Sequence, residues 1–181
     1  MIIISTISSC GDSGIVEVVT TQERYAQDII LINEYIKERG YTDVDTTSNG
    51  VRFLVTSEGG GDTIESGDIV SLHYTGRLID DYVFITSIDT TAINNDFYDS
   101  TRSYSPSVFT HSETGWALST FGFSSGFVSG ISNALPKIKV GGSARLIIPS
   151  TVSNNGSRPY QSVPANSILV FDIYPVNVRK D

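Results

Sequence analysis

Four stretches of this chain alternate apolar and polar side chains between glycine or aspartate breaks, and that period of two constrains the fold more than any other feature. Gly50–Thr56 alternates and runs into Gly59-Gly60-Gly61, a strand followed by a loop. After the turn at Gly67-Asp68, Val70, Leu72 and Tyr74 take one face of a second strand, with Ser71, His73 and Thr75 on the other. Asp80-Asp81 marks the next turn, and Gly141-Gly142 leads into a strand over Ala144–Ile148. The last strand, Ile168–Ile173, places Leu169, Phe171 and Ile173 on one side. Only one segment among these keeps helical spacing: Ile131, Ala134, Leu135 and Ile138, with Ser129 as the expected N-cap and Pro136 as the expected stop. The order predicts an α+β fold, an antiparallel β-sheet wrapped around a short α-helix.

A second helix precedes the sheet. Thr20-x-x-Glu23 is a capping-box signature, and Tyr25, Ile29, Ile32 and Ile36 recur on one face, widened by Ile30 and Leu31. Gly40 is its stop signal. Two roles fit such a helix: packing on its own domain, or forming a homodimer or partner face. Residues 11–19 read as a linker. Before them, Ile7-Ser8-Ser9-Cys10-Gly11 resembles a bacterial lipobox, which implies lipidation at Cys10 and a place in the bacterial cell envelope facing the periplasm or cell surface. Membrane contact is then expected by lipid anchor only, since no stretch after residue 20 approaches the apolar length of a span. The organisation read from these signals is residues 1–19 as a signal remnant and linker, 20–49 as the N-terminal helix and 50–181 as the main domain.

Charge and residue counts exclude several functions. The net charge is −8 with no basic run, so the chain repels nucleic acid. The single cysteine rules out an internal disulfide. His73 and His111 stand far apart with no Cys/His cluster, so no metal and no cofactor are expected. Gly59-Gly60-Gly61 lacks the Lys-Ser/Thr of a phosphate loop, and no Gly-x-Ser-x-Gly elbow occurs.

Several motifs then fall into a familiar order. His73-Tyr74-Thr75-Gly76 is followed by Phe84 ten residues after Tyr74. Gly130 to Gly142, Ala144-Arg145-Leu146-Ile147-Ile148-Pro149 and Val163 to Ile173 come next. Together they resemble the FKBP family of peptidyl-prolyl isomerases over residues 50 to 178, with an insertion at about 88–106. The resemblance implies that Tyr74, Phe84, Val128 and Phe171 form the catalytic pocket, with Val128 also offering its backbone N–H. Phe109, Phe127, Ile131 and Val163 would line the site for substrate. The substrate would be a proline-containing peptide or an unfolded envelope protein.

The sequence departs from the family at three places. Ile85 follows Phe84 where the family has Asp; Asp99 stands in only if the alignment slips across the insertion. Ile131 replaces the floor Trp, and the chain's one Trp, Trp116, lies outside the motif. Asn154-Asn155-Gly156 occupies the region of the family's Tyr-Gly, leaving Tyr160 as the nearest hydroxyl, while Phe121-Gly122-Phe123 reads as loop. Losing two orienting hydrogen bonds, each worth about 1 kcal/mol, implies isomerase activity reduced by roughly one to two orders of magnitude. The alternative is a peptide-binding or chaperone module without useful catalysis.

Overall fold

Thr20 opens the first helix, α1 (Thr21–Glu38), by a reciprocal cap: its side chain accepts from the Glu23 N–H, and the Glu23 carboxylate accepts from the Thr20 N–H at 2.8 Å. Gly40 follows at φ 64°, a left-handed conformation that suits a residue without a side chain. These coordinates are a computed structural model, describing residues 19–112, 124–153 and 162–181. Cys10 and the start of the linker, Trp116, Phe121-Gly122-Phe123, Asn154-Asn155-Gly156 and Tyr160 lie outside the described residues.

After α1 the described chain runs β1 (Asp45–Thr46), β2 (Arg52–Ser57), β3 (Ile69–Leu78) and β4 (Val83–Thr86), then the short helix α2 (Asp89–Asn94) and β5 (Ser107–Thr110). It continues through α3 (Ser125–Ala134), a single 3-10 turn over Leu135–Lys137, β6 (Ser143–Ile148), the short α4 (Ser150–Ser153) and β7 (Leu169–Arg179). The described strands form one antiparallel sheet in the order β1-β2-β6-β7-β3-β4, with β5 also on β3. Thus β4 and β5 divide one edge of β3: β5 pairs with Ile69–Leu72 and β4 with Thr75–Arg77. The insertion after β4 leaves and rejoins the sheet at that division.

One face of the sheet closes on α3. Val70, Leu72, Ala144, Leu146, Leu169, Phe171 and Ile173 from the strands share a core with Phe127, Ile131, Ala134 and Leu135. Two glycines let the helix lie close. A Cβ on Gly126 would stand 2.5 Å from an Ile148 methyl, and one on Gly130 would stand 2.9 Å from a Leu146 methyl. This corrects the expected N-cap. The helix begins earlier than its apolar spacing suggests, at Ser124, whose side chain accepts from the Phe127 N–H. Ser129 lies within the helix instead. The glycines that weaken the helical signal are there for contact with β6. Pro136 does end the α-helix, in the 3-10 turn.

The opposite face carries α1. Ile32 and Tyr35 pack with Ile147, Ile168 and Val170, so the helix docks on its own sheet. Asp28, buried at the same contact, accepts from the Ser150 N–H and hydroxyl at 2.8 and 2.7 Å. Ile30 and Leu31 do not widen the buried face, because they point outward and stay exposed. The sheet also takes in residues assigned from sequence to the helical segment, since Asp45 and Thr46 already pair with Phe53 and Arg52.

Beside α1, Asp172 on β7 holds Arg145 of β6 through two bonds, at 2.6 and 2.8 Å, and Arg77 of β3 at 2.9 Å. Arg145 also donates to the Tyr41 hydroxyl. All three charges are largely buried. Removing one member of such a group strands the others without compensation. Asp172→Ala is therefore expected to cost about 3–5 kcal/mol in urea unfolding, the range for breaking a buried pair.

Candidate functional site

Period-two alternation in β3 and β7 sends Tyr74 and Phe171 to the same face, and the helical repeat of α3 brings Phe127 down onto them. Phe171 is the hub. Its ring centroid lies 4.4 Å from Phe127, 5.8 Å from Phe84 with the rings perpendicular, and 6.4 Å from Tyr74. Tyr74 meets Phe127 edge-on at 6.2 Å. Edge and tilted contacts of this kind add attraction beyond area burial and hold ring orientations. Phe109, Val128, Ile131 and Val163 belong to the same apolar cluster. The structure therefore brings together all eight residues named from the sequence.

Their exposures differ in a way that orients the site. Phe127, Ile131, Val163 and Phe171 keep at most 1 % of their surface, whereas Phe84 and Val128 keep 9 % and Tyr74 is half-buried. Of the eight, Tyr74, Phe84 and Val128 thus keep the most contact with solvent. Gly76 makes the close approach of β3 to β7 feasible. A Cβ there would stand 2.6 Å from the Phe171 ring and 2.7 Å from an Ile85 methyl.

Two expectations change at this point. The Val128 N–H donates to the Ser124 carbonyl at 3.0 Å as the first bond of α3, so it is engaged by the helix and Val128 presents only its side chain. Asp99 does not stand in for the carboxylate missing at Ile85. It is exposed, and its Oδ1 accepts from the Thr101 N–H and hydroxyl at 2.9 and 2.7 Å, which lowers its pKa. Ile85 is itself buried in the apolar cluster, opposite Gly76.

Polar partners that the motifs did not reveal surround Tyr74. Burial raises the phenol pKa, while Arg102 and a hydrogen bond from the Ser107 side chain pull it back down. The sequence held one signal for this. Ser107 stands two residues before Phe109, so a strand that turns Phe109 inward turns Ser107 inward too. His73, by contrast, belongs to the outer face, where its Nδ1 lies 3.0 Å from the Ser87 hydroxyl. Among the described residues no group of three His, Cys, Asp or Glu side chains is placed to hold a metal ion.

The half-wrapped sheet, the short helix in its hollow and the rings meeting between them define an FKBP-like fold. The sequence profile of the FKBP-type peptidyl-prolyl cis-trans isomerases matches residues 60–174, well over half of the chain. The chain belongs to that family.

Similar proteins agree. A probable FKBP-type peptidyl-prolyl cis-trans isomerase of Haemophilus influenzae is 28% identical over 137 residues, covering 76% of this chain and 46% of its own length. FkpA of Escherichia coli K12, an FKBP-type peptidyl-prolyl cis-trans isomerase, is 28% identical over 147 residues, covering 81% of this chain and 43% of its own. The chain thus spans less than half the length of these relatives. The crystal structure of Escherichia coli FkpA superposes with a TM-score of 0.53 at 25% identity, over 88% of this chain and 63% of that one. A Pseudomonas syringae peptidyl-prolyl isomerase shares the fold, with a TM-score of 0.54 at 20% identity over 89% of this chain and 97% of its own. Among the described residues no helix is long and apolar enough to cross a membrane.

Burial also raises the pKa of Tyr35 and Tyr174, as it does that of Tyr74. A folded pKa above the unfolded one, about 10 for tyrosine, gives stability that is complete below that pH and declines above it. Absorbance titration at alkaline pH should show these phenols ionising after exposed tyrosines, with unfolding setting in as they do. Tyr74→Phe should remove one late step.

Proposed function

We propose that this chain is a peptidyl-prolyl cis-trans isomerase acting on proline-containing segments of unfolded envelope proteins. The observation that carries the reading is the convergence of Tyr74, Phe84 and Phe127 on Phe171 under α3, with Tyr74 the most exposed of the four rings. Rotation about an Xaa-Pro bond needs no nucleophile or metal. It is slow because amide resonance must be broken, at a barrier of about 20 kcal/mol. A site that binds the twisted amide better than either planar form lowers that barrier. The twisted amide is less charge-separated, so a dry aromatic surface favours it over the planar ground states. In this reading Tyr74 and Phe84 meet the proline ring with Phe171 behind them, Val128 lies beside them, and Phe109, Phe127, Ile131 and Val163 form the wall and floor.

The polar side of the site is thin. Ile85 and Ile131 replace groups that the family pattern supplies, and the Val128 N–H is committed to α3. The missing carboxylate at Ile85 and the engaged Val128 N–H are two lost hydrogen bonds, and at about 1 kcal/mol each they support turnover roughly ten- to a hundredfold below that of a fully equipped site. They also favour a second reading, a module that grips apolar proline segments and accelerates nothing. The envelope location rests on Cys10 within its lipobox-like segment, which would attach the chain to a membrane by its acyl groups. Residues 50–181 form the isomerase unit in this account, preceded by the helical segment and linker.

Exchange spectroscopy on a proline peptide separates the two readings. Enhanced cis–trans exchange at micromolar protein is expected, with Phe84→Ala lowering kcat/KM at least about tenfold through loss of a ring worth upwards of 1.4 kcal/mol to the transition state. Binding with no enhancement would leave the peptide-gripping module as the function.

A further inference from the structure

The divided edge of β3 puts the two ends of the insertion on either side of Tyr74. The chain leaves β4 after Thr86, where the Ser87 hydroxyl accepts from the Tyr74 N–H at 2.9 Å, and it rejoins at β5 with Ser107 opposite Leu72. Val70 lies opposite Phe109 on the next inward pair. Residues 70, 72 and 74 of β3 and residues 107 and 109 of β5 therefore share the core face, and Ser107 is the diagonal neighbour of Tyr74, within reach of a long side chain. The strand on the other half of the edge offers the phenol little. Val83, Phe84 and Ile85 are apolar, and the Thr86 hydroxyl donates to the Tyr74 carbonyl and lies 2.9 Å from the Thr75 hydroxyl.

We propose that Ser107 is a positioning residue of the prolyl site, its hydroxyl fixing the Tyr74 phenol so that the ring stays edge-on to Phe127. Ser107 touches no substrate in this role; it acts through Tyr74. The place of Ser107 on the core face, one pair from Tyr74 along the ladder, and the half-buried setting of both residues agree with it, as does the lowering that the Ser107 side chain exerts on the Tyr74 phenol. The kinetic consequence rests on the isomerase reading above, whereas the pairing of the two hydroxyls does not.

The test uses the full chain with tyrosine labelled at the ring Cζ, and the Tyr74 resonance assigned by its loss in Tyr74→Phe. Ser107→Ala should raise the Tyr74 pKa, because the bond from Ser107 favours the ionised phenol, and Ser107→Thr should restore it. In exchange assays Ser107→Ala should lower kcat about fivefold, the loss of one hydrogen bond. Ser107→Ala made in Tyr74→Phe should produce no further loss. An unchanged Tyr74 titration in a Ser107→Ala protein of normal thermal stability overturns the proposal, and so do additive rate losses in the double variant. If the parent protein fails to accelerate exchange, the isomerase reading falls by itself, and the titration still decides whether Ser107 holds the phenol.

Discussion

The carboxylate of Asp172 lies between two guanidinium groups, one from each strand beside β7, and the rest of the molecule is arranged around that contact. Taking three charges out of water is costly, and their mutual attraction only offsets the cost when every bond is made. What the contact sets is alignment. Arg145 reaches Asp172 from directly across the ladder, and Arg77 reaches it from beyond the facing Thr75. A slip of one residue between β7 and either neighbour would turn the carboxylate into the apolar core and Phe171 out toward α1. Asp172 and Phe171 are adjacent, so the ionic contact on one face fixes the aromatic hub on the other.

The same economy governs α3. Glycine at 126 and 130 weakens a helix by removing side chains and adding backbone freedom. Both positions face strand residues at distances that leave no room for a Cβ. The helix gives up intrinsic stability and gains proximity, and proximity puts Phe127 in contact with Phe171.

Strand alternation was plain in the sequence because the residues facing α3 differ sharply from their neighbours, as Val70, Leu72 and Tyr74 do from Ser71 and His73. The capping box and the four-three-four spacing likewise made α1 legible. The N-terminus of α3 was not, because Ser-Ser-Gly-Phe-Val-Ser-Gly has the composition of a loop and its glycines are explained only by Ile148 and Leu146, distant in sequence. Nor was the outward turn of Ile30 and Leu31, since an apolar residue beside a buried stripe looks the same in sequence whether or not the sheet extends beneath it. The aromatic residues of the site were found through motif order. The polar surroundings of Tyr74 were missed because they come from the insertion and the strand that follows it, Arg102 and Ser107, where pairing on the divided edge of β3 decides who meets whom.

That divided edge has a consequence for how such a domain diversifies. Because β4 and β5 each hold their own half of β3, the chain between them emerges as a self-contained excursion whose length does not enter the ladder geometry. Excursions of different size and chemistry are thus interchangeable at the one position that borders Tyr74. A lineage could retune what surrounds that phenol by exchanging this segment, α2 and its packing on β4 included, while the ladders of β3 with β4, β5 and β7 stay as they are.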